Sequence, residues 1–468
     1  MSSKRLTKRR SDHDESIHPS EAQQSAQRKL ELDLHKLRCL ASSLLDGNPI
    51  CVHVDKLNSE FSRGFLLTMD NGCKLIARIP CTRTEQAFLA SEVATLKYLR
   101  QYTSLPVPNV LAWNSDKTNE IGSEYLIIEK TPGVVLKDLW GNLSTLDRYS
   151  IIEKIVAMET ELANLDFPAF GALYLRGSAS AQPKYYPLAS ERDCGESFCV
   201  GPIYKLSQTD DNTESSGELK SFGPWLSFEN FASYFGQQQV TTQTIRQSVE
   251  NKFQAMTQVH FDPIDETRAL LEKASILTPI LTSDNRVQRV SKPTLWHSGL
   301  PLDDILVSAT QPTNILGIIG WQSAKILPLF LQAQFPKFLG TSRSHKLGDS
   351  MPSLSGFAEL SPEQKQSVLQ NQDTAARTRY YEMCIFDYNN PVYEALNLDP
   401  KLTELYRYYE LSTEGDILGL YSYLISVSAE WDSLGLSGDC PFQFTSEELV
   451  QFQKQHAQFS DALNTKSS

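Results

Sequence analysis

Residues 294–323, TLWHSGLPLDDILVSATQPTNILGIIGWQS, decide how the rest of the chain is read. A phosphoryl-transfer loop carries a base aspartate two residues beyond a histidine and an asparagine five residues further on. A second metal-binding aspartate follows on the next strand. Here the histidine is His297, but Gly299 holds the base position and Asp304 the asparagine position. The strand ILGIIGWQS then puts Gly320 where the second carboxylate belongs. The shell of a site is present, and three of its working groups have changed.

Outward from this stretch, the chain divides into a β-rich part and a helical part. Asp33 caps a predicted helix with Leu34, Leu37, Leu40, Ala41 and Leu44 on one face. Strand-like runs follow at 50–57, 63–69 and 74–79, and Asp70-Asn71-Gly72 between the last two is a hairpin signal. Residues 85–101 have helical amphipathic spacing. Pro106 and Pro108 then break the chain before strands at 109–113 and 125–130. Pro132-Gly133 marks a hinge, beyond which the pattern is mostly helical, as in 143–165. Segments 206–220 and 338–362 are polar and read as surface loops. The aromatic run with Tyr406, Tyr408 and Tyr409 is expected to pack inside the C-terminal half. The fold class is therefore α+β and bilobal, a small antiparallel-sheet N-lobe followed by a mainly helical C-lobe. Residues 1–28 read as a disordered basic leader, 29–132 as the N-lobe, and 133–468 as the C-lobe with its altered loop at 295–323.

Bulk properties limit the function. A chain of 468 residues suits two lobes at roughly 150 residues per domain. Its net charge of −12 disfavours nucleic acid or an anionic membrane as the partner of the general surface. No apolar run reaches the ~20 residues of a membrane span. Cys39, Cys51, Cys73, Cys81, Cys194, Cys199, Cys384 and Cys440 form no CxxC pair and no zinc spacing. Free thiols in a reducing, intracellular and most simply cytoplasmic setting are expected. The start, MSSKRLTKRRSDHDES, has no apolar core and is not a secretory signal. Lys4, Arg5, Lys8, Arg9 and Arg10 fit the opening of a mitochondrial presequence or an import patch, whereas Asp12, Asp14 and Glu15 break the acid-poor pattern. No GxSxG, HExxH or GxxxxGK[ST] motif occurs.

The order of several segments carries a resemblance. FLLTMDNG (65–72), LIARIP (75–80), ASEVATLKYLR (90–100), LPVPNVLAW (105–113) and EYLIIEKTPGVVL (124–136) precede LWHSGLPLDDILV (295–307) and ILGIIGWQSAKILPLFLQA (315–333). In this order they resemble the aminoglycoside phosphotransferase-like branch of the protein-kinase-like fold, and its fungal group in particular. The resemblance implies ATP and Mg²⁺ as cofactors. It places Arg78 where a basic residue touches the nucleotide phosphates, and Glu92 where an acid holds that residue. Glu129 and Lys130 fall on the strand that passes the adenine, and Asp304 becomes the metal ligand.

Departures from the family pattern cluster at the chemistry. The first hairpin, KLNSEFSRGF (56–65), has Asn58, Ser59 and Glu60 where the family has a glycine pair that lets backbone N–H groups reach phosphate. A carboxylate at Glu60 opposes phosphate by simple Coulomb repulsion. Gly299 removes a base, a group that contributes ~100- to 10,000-fold in rate. Asp303 is the nearest spare carboxylate to replace it. His297 is expected to brace the loop through hydrogen bonds, and is catalytic only if the site is active. Because these parts act as a unit, the expectation is a pseudo-phosphotransferase that binds a nucleotide, a small molecule or a protein partner. The alternative is an active ATP-dependent phosphotransferase on a small hydroxyl-bearing acceptor, with Asp304 holding the metal. A third is an interaction protein, mitochondrial or cytosolic, that no longer binds nucleotide. Acceptor choice would lie with segments 170–230 and 338–370, which carry no readable code.

Overall fold

The computed structural model describes residues 32–450 except 58–61, 81–82, 179–184, 190–192, 196, 207–218, 239–262, 298, 342–344 and 413–416, and it also describes 452–453. The leader at 1–28, the Asn58-Ser59-Glu60 replacement and most of the 206–220 loop lie outside these residues.

Helix α1 (Leu34–Ser43) begins where the Asp33 carboxylate accepts the backbone N–H groups of His35 and Lys36, and it buries Leu37 and Ala41. Strands β1 (Cys51–Leu57), β2 (Ser62–Met69) and β3 (Lys74–Pro80) form a meander. The Asp70-Asn71-Gly72 turn joins the last two, as its composition predicts. After α2 (Arg83–Tyr102), β4 (Val110–Asn114) and β5 (Tyr125–Glu129) complete an antiparallel sheet of order β1-β2-β3-β5-β4. One face of this sheet closes on α1 through Leu67, Leu75, Ala77 and Ile127. Helix α2 meets Leu126 and Ile128 of the sheet through Leu89 and Val93. Its second half points elsewhere: Ala94, Leu96, Tyr98 and Leu99 enter the core of the other lobe beside Ile151, Ile152 and Ile155.

Beyond the hinge, β6 (Val134–Val135) leads into α3 (Leu136–Trp140) and α4 (Thr145–Asn164), the latter capped by the Ser144 hydroxyl. Next comes a part that the helical reading of this half did not anticipate. β7 (Ala172–Leu175), β8 (Tyr186–Pro187) and β9 (Phe198–Gly201) form a three-stranded sheet, and β10 (Ile203–Leu206) pairs with β11 (Leu219–Phe222). Their apolar runs are four residues or shorter, too brief for periodicity to separate strand from helix. Helices α5 (Phe228–Gln238), α6 (Pro263–Ser283) and α7 (Asn285–Arg289) follow. The site segment comprises β12 (Pro293–Trp296), β13 (Ile305–Val307), β14 (Ile315–Ile318) and β15 (Lys325–Pro328). The chain then runs through α8 (Leu329–Gln332), α9 (Pro362–Tyr388), α10 (Asn390–Asn397), α11 (Leu405–Ser412) and α12 (Ile417–Ala429). Tyr406 is buried as expected, and its hydroxyl bonds Thr282 across 2.9 Å. The fold is α+β, with a small antiparallel N-lobe and a mainly helical C-lobe. Among the described residues no helix is long and apolar enough to cross a membrane.

One acid is sealed inside the C-lobe. Glu159 on α4 is buried and accepts a hydrogen bond from the Tyr381 hydroxyl of α9 at 2.8 Å. Burial pushes its carboxyl up to about 8 from an ordinary 4.5. The folded state therefore keeps a proton that the unfolded chain releases above about 4.5. Stability is greatest below that value, falls as pH rises, and levels off above about 8. Glu159→Gln should remove this contribution. Denaturant titrations of the two proteins should show the variant gaining on the parent by about 1.4 kcal/mol per pH unit inside the window.

Candidate functional site

The 294–323 segment folds into a hairpin that assembles the site. β13 pairs with β14, with Ile305 opposite Ile318 and Leu306 opposite Gly317, and pairs with β6 of the hinge on its other edge. A single 3₁₀ turn, Leu302–Asp304, precedes β13. Asp304 and the residues just past β14 are thereby brought face to face, and the Ile319 N–H donates to the Asp304 carbonyl at 2.9 Å.

His297 closes this arrangement from beneath. Its Nε2 donates to the Ile319 carbonyl at 2.7 Å, and its ring stands edge-on to Trp321 at 4.8 Å. Trp321 is itself buried, with Nε1 donating to the Ile318 carbonyl at 3.0 Å. His297 is only 6% exposed, and burial lowers its pKa, so the ring is neutral near pH 7 and serves as a donor to the backbone. Its Nδ1 has no hydrogen-bond partner among the described residues. The Asp304 Oδ2 lies 3.8 Å from Nε2. Burial, with a smaller push from neighbouring Asp303, raises the Asp304 carboxyl to about 6, while the Lys337 ammonium opposes the rise.

Both glycines hold a positive φ, and they differ in what a side chain would meet. Gly320 has φ +90°, and a Cβ on it would lie 2.7 Å from Asp304 Cγ and 3.0 Å from His297 Nε2. The Asp304 carboxylate already fills the space that a side chain at 320 would need. Gly299 has φ +79°, and a Cβ there would lie 3.0 Å from Lys337 Cε and 3.4 Å from Lys337 Nζ. A lysine thus crosses the loop beside Gly299. Asp303 faces another way: both of its carboxylate oxygens are 3.0 Å from Lys137 Nζ on α3, in an exposed ion pair. Such a pair contributes little to stability, but it turns Asp303 toward α3 while Asp304 turns toward His297.

In the N-lobe, Arg78 on β3 lies between Gly64 of β2 and Leu126 of β5, and its guanidinium pairs with Glu92 of α2. Glu92 is 6% exposed and Arg78 25%, so the acid anchors the arginine from the buried side. Glu129 ends β5 with its side chain exposed. Its N–H donates to the Asn109 carbonyl and that of Lys130 to the Lys74 carbonyl, each at 3.0 Å. The structure therefore brings Arg78 to Glu92 and His297 to Asp304, and it separates Asp303 from Asp304. Sequence reasoning missed Lys337, Trp321 and Lys137. Trp321 adjoins Gly320, and that adjacency was the one available signal.

This hairpin and the cation–acid pair are the geometry against which the similarities to known proteins stand. Residues 53–213 match the model of the phosphotransferase enzyme family known as APH. The subtelomeric hrmA-associated cluster protein of Aspergillus fumigatus is 27% identical over 431 residues, covering 85% of this chain and 83% of that protein. Altered inheritance of mitochondria protein 9 of Candida tropicalis is 24% identical over 428 residues, covering 84% and 67% respectively. Among solved structures, a thermostable mutant of aminoglycoside phosphotransferase APH(4)-Ia, in ternary complex with ADP and hygromycin B, aligns at 15% identity and a TM-score of 0.40. That alignment covers 86% of this chain and 94% of the other. The resemblance read from the sequence is borne out as a similarity: residues 53–213 match the APH phosphotransferase enzyme family, and altered inheritance of mitochondria protein 9 is among the proteins the chain resembles.

Proposed function

We propose that the chain is a pseudo-phosphotransferase that keeps the nucleotide cleft of this fold and acts by binding. Gly320 carries the reading, because the space of its missing carboxylate is filled by Asp304. In this reading residues 29–132 form the nucleotide lobe and residues 133–468 the partner-binding lobe. Arg78, held by Glu92, faces the phosphates, and the strand ending at Glu129 lines the base. A magnesium clamp finds a poor fit. Asp303 is engaged by Lys137, and Asp304 turns to His297 with Lys337 nearby. Among the described residues no group of three His, Cys, Asp or Glu side chains is arranged to hold a metal ion. Mg²⁺ bound by phosphates and one carboxylate would have Asp304 as its only protein anchor. The setting is proposed to be cytoplasmic, with a mitochondrial one as the alternative that the Candida tropicalis relative's name supports.

Thermal unfolding of the purified full chain with and without millimolar ATP tests this, alongside ATP turnover. Ligand at 100 times its Kd adds about 2.7 kcal/mol to the native state, so a clear upward shift is expected. Arg78→Ala should abolish most of it, and turnover should stay far below the roughly 1–100 s⁻¹ of working kinases. Turnover in that range, lost in Asp304→Ala, would instead establish the active phosphotransferase, a reading favoured by the Asp304 carboxyl being ionised at neutral pH. Absence of any shift would leave an interaction protein.

A further inference from the structure

We propose that Lys337 is the cationic arm of this site, binding the anionic end of a phosphate ligand and making divalent metal dispensable for that binding. The inference rests on the nucleotide-binding reading above and specifies how the phosphates are held. Three features carry it. First, Lys337 lies directly over the altered loop, with its Cε and Nζ at 3.0 and 3.4 Å from the Cβ position of Gly299. An aspartate side chain at 299 would have to share that space with the lysine. Second, the other local lysine is occupied: Lys137 spends its charge on Asp303 at 3.0 Å. Third, Lys337 is exposed, in the turn Lys337–Leu339, whose neighbours Phe338 and Leu339 are buried and fix where the lysine leaves the backbone.

The chemistry follows from charge. In a metal-dependent site of this pattern an aspartate and an asparagine hold Mg²⁺, and the metal neutralises the phosphates. Here Gly320 stands in the aspartate position, and Asp304, in the asparagine position, feels the Lys337 ammonium. An exposed ammonium is a compact charge with three donors on a flexible stem, well suited to terminal phosphate oxygens. The site has exchanged a carboxylate–metal–phosphate arrangement for one in which the protein's own cation meets the phosphate. Such a site positions a polyphosphate without polarising it for transfer.

The test is calorimetric titration of the full chain with ATP and, separately, with tripolyphosphate, each in EDTA and in Mg²⁺. Parent and Lys337→Gln and Lys337→Arg proteins are compared. Since Lys337 is exposed, the variants should fold as the parent does, which their unchanged unligated melting temperature would verify. Expected are binding by the parent in EDTA, affinity about tenfold weaker in Lys337→Gln through loss of a charge-assisted hydrogen bond, and near-parental affinity in Lys337→Arg. Binding that requires Mg²⁺, or a Lys337→Gln variant as tight as the parent, would overturn the role of Lys337 while leaving a nucleotide site standing. Tripolyphosphate binding without ATP binding would keep Lys337 and remove the nucleotide reading. Binding of neither would remove both.

Discussion

Gly320→Asp should destabilise the chain by about 2–4 kcal/mol and fail to restore phosphoryl transfer. Two costs combine. A non-glycine residue held at φ +90° carries about 1–3 kcal/mol of backbone strain. The new side chain also starts 2.7 Å from Asp304 Cγ and 3.0 Å from His297 Nε2, so the Asp304 carboxylate must rotate away from a second negative charge in a half-buried site. Gly299→Asp is the informative contrast. Its neighbour is the far end of a lysine that can swing aside, and the incoming carboxylate meets an ammonium instead of an acid. Chemical denaturation of the two single variants should place Gly299→Asp near the parent, within about 2 kcal/mol of it given its own positive φ, and Gly320→Asp well below. Equal losses would mean that Asp304 does not hold the space at 320.

Trp321→Ala should be the most damaging single truncation in the site, at about 3–5 kcal/mol for emptying a buried indole. Trp321 belongs to the main core cluster, packs against the His297 ring in a T-shaped contact, and ties its Nε1 to the Ile318 carbonyl. Removing it should also release the imidazole, so the His297 resonances in an NMR titration should move toward the ordinary pKa as water enters. Trp321→Phe keeps most of the volume and loses the Nε1 donor, and should cost about 1–3 kcal/mol. A loss below 1 kcal/mol in Trp321→Ala would show that the hairpin does not depend on its indole.

What could be read from the sequence was local chemistry. The Asp33 cap, the Asp70-Asn71-Gly72 turn and the amphipathic run of α2 each declare themselves within a few residues, and each is present. The pairing of Arg78 with Glu92 was legible because ordered motif segments put a cation on a strand beside an acid on the next helix. That positions 299 and 320 hold glycine was equally legible, since an absent side chain is visible in one dimension. What fills the space was not. Lys337 comes from beyond β15, and no spacing rule links it to the loop that it crosses. The sheet of β7, β8 and β9 escaped for a different reason, as its short apolar runs carry no period.

The burial of α2 decides how the chain can be divided. Its Leu96, Tyr98 and Leu99 sit in the same core cluster as Ile151 and Ile155, and the Ile318 N–H reaches back to the Pro106 carbonyl at 2.7 Å. A cut at the hinge would therefore not yield two self-sufficient fragments. The N-terminal piece would carry a greasy helix end with nothing to cover it, and the C-terminal piece would lose a wall of its interior together with an acceptor for the strand that leads to Gly320. The two lobes are halves of one folding unit. A gene encoding only the sheet lobe should produce a protein that aggregates, even though that lobe looks complete when drawn alone.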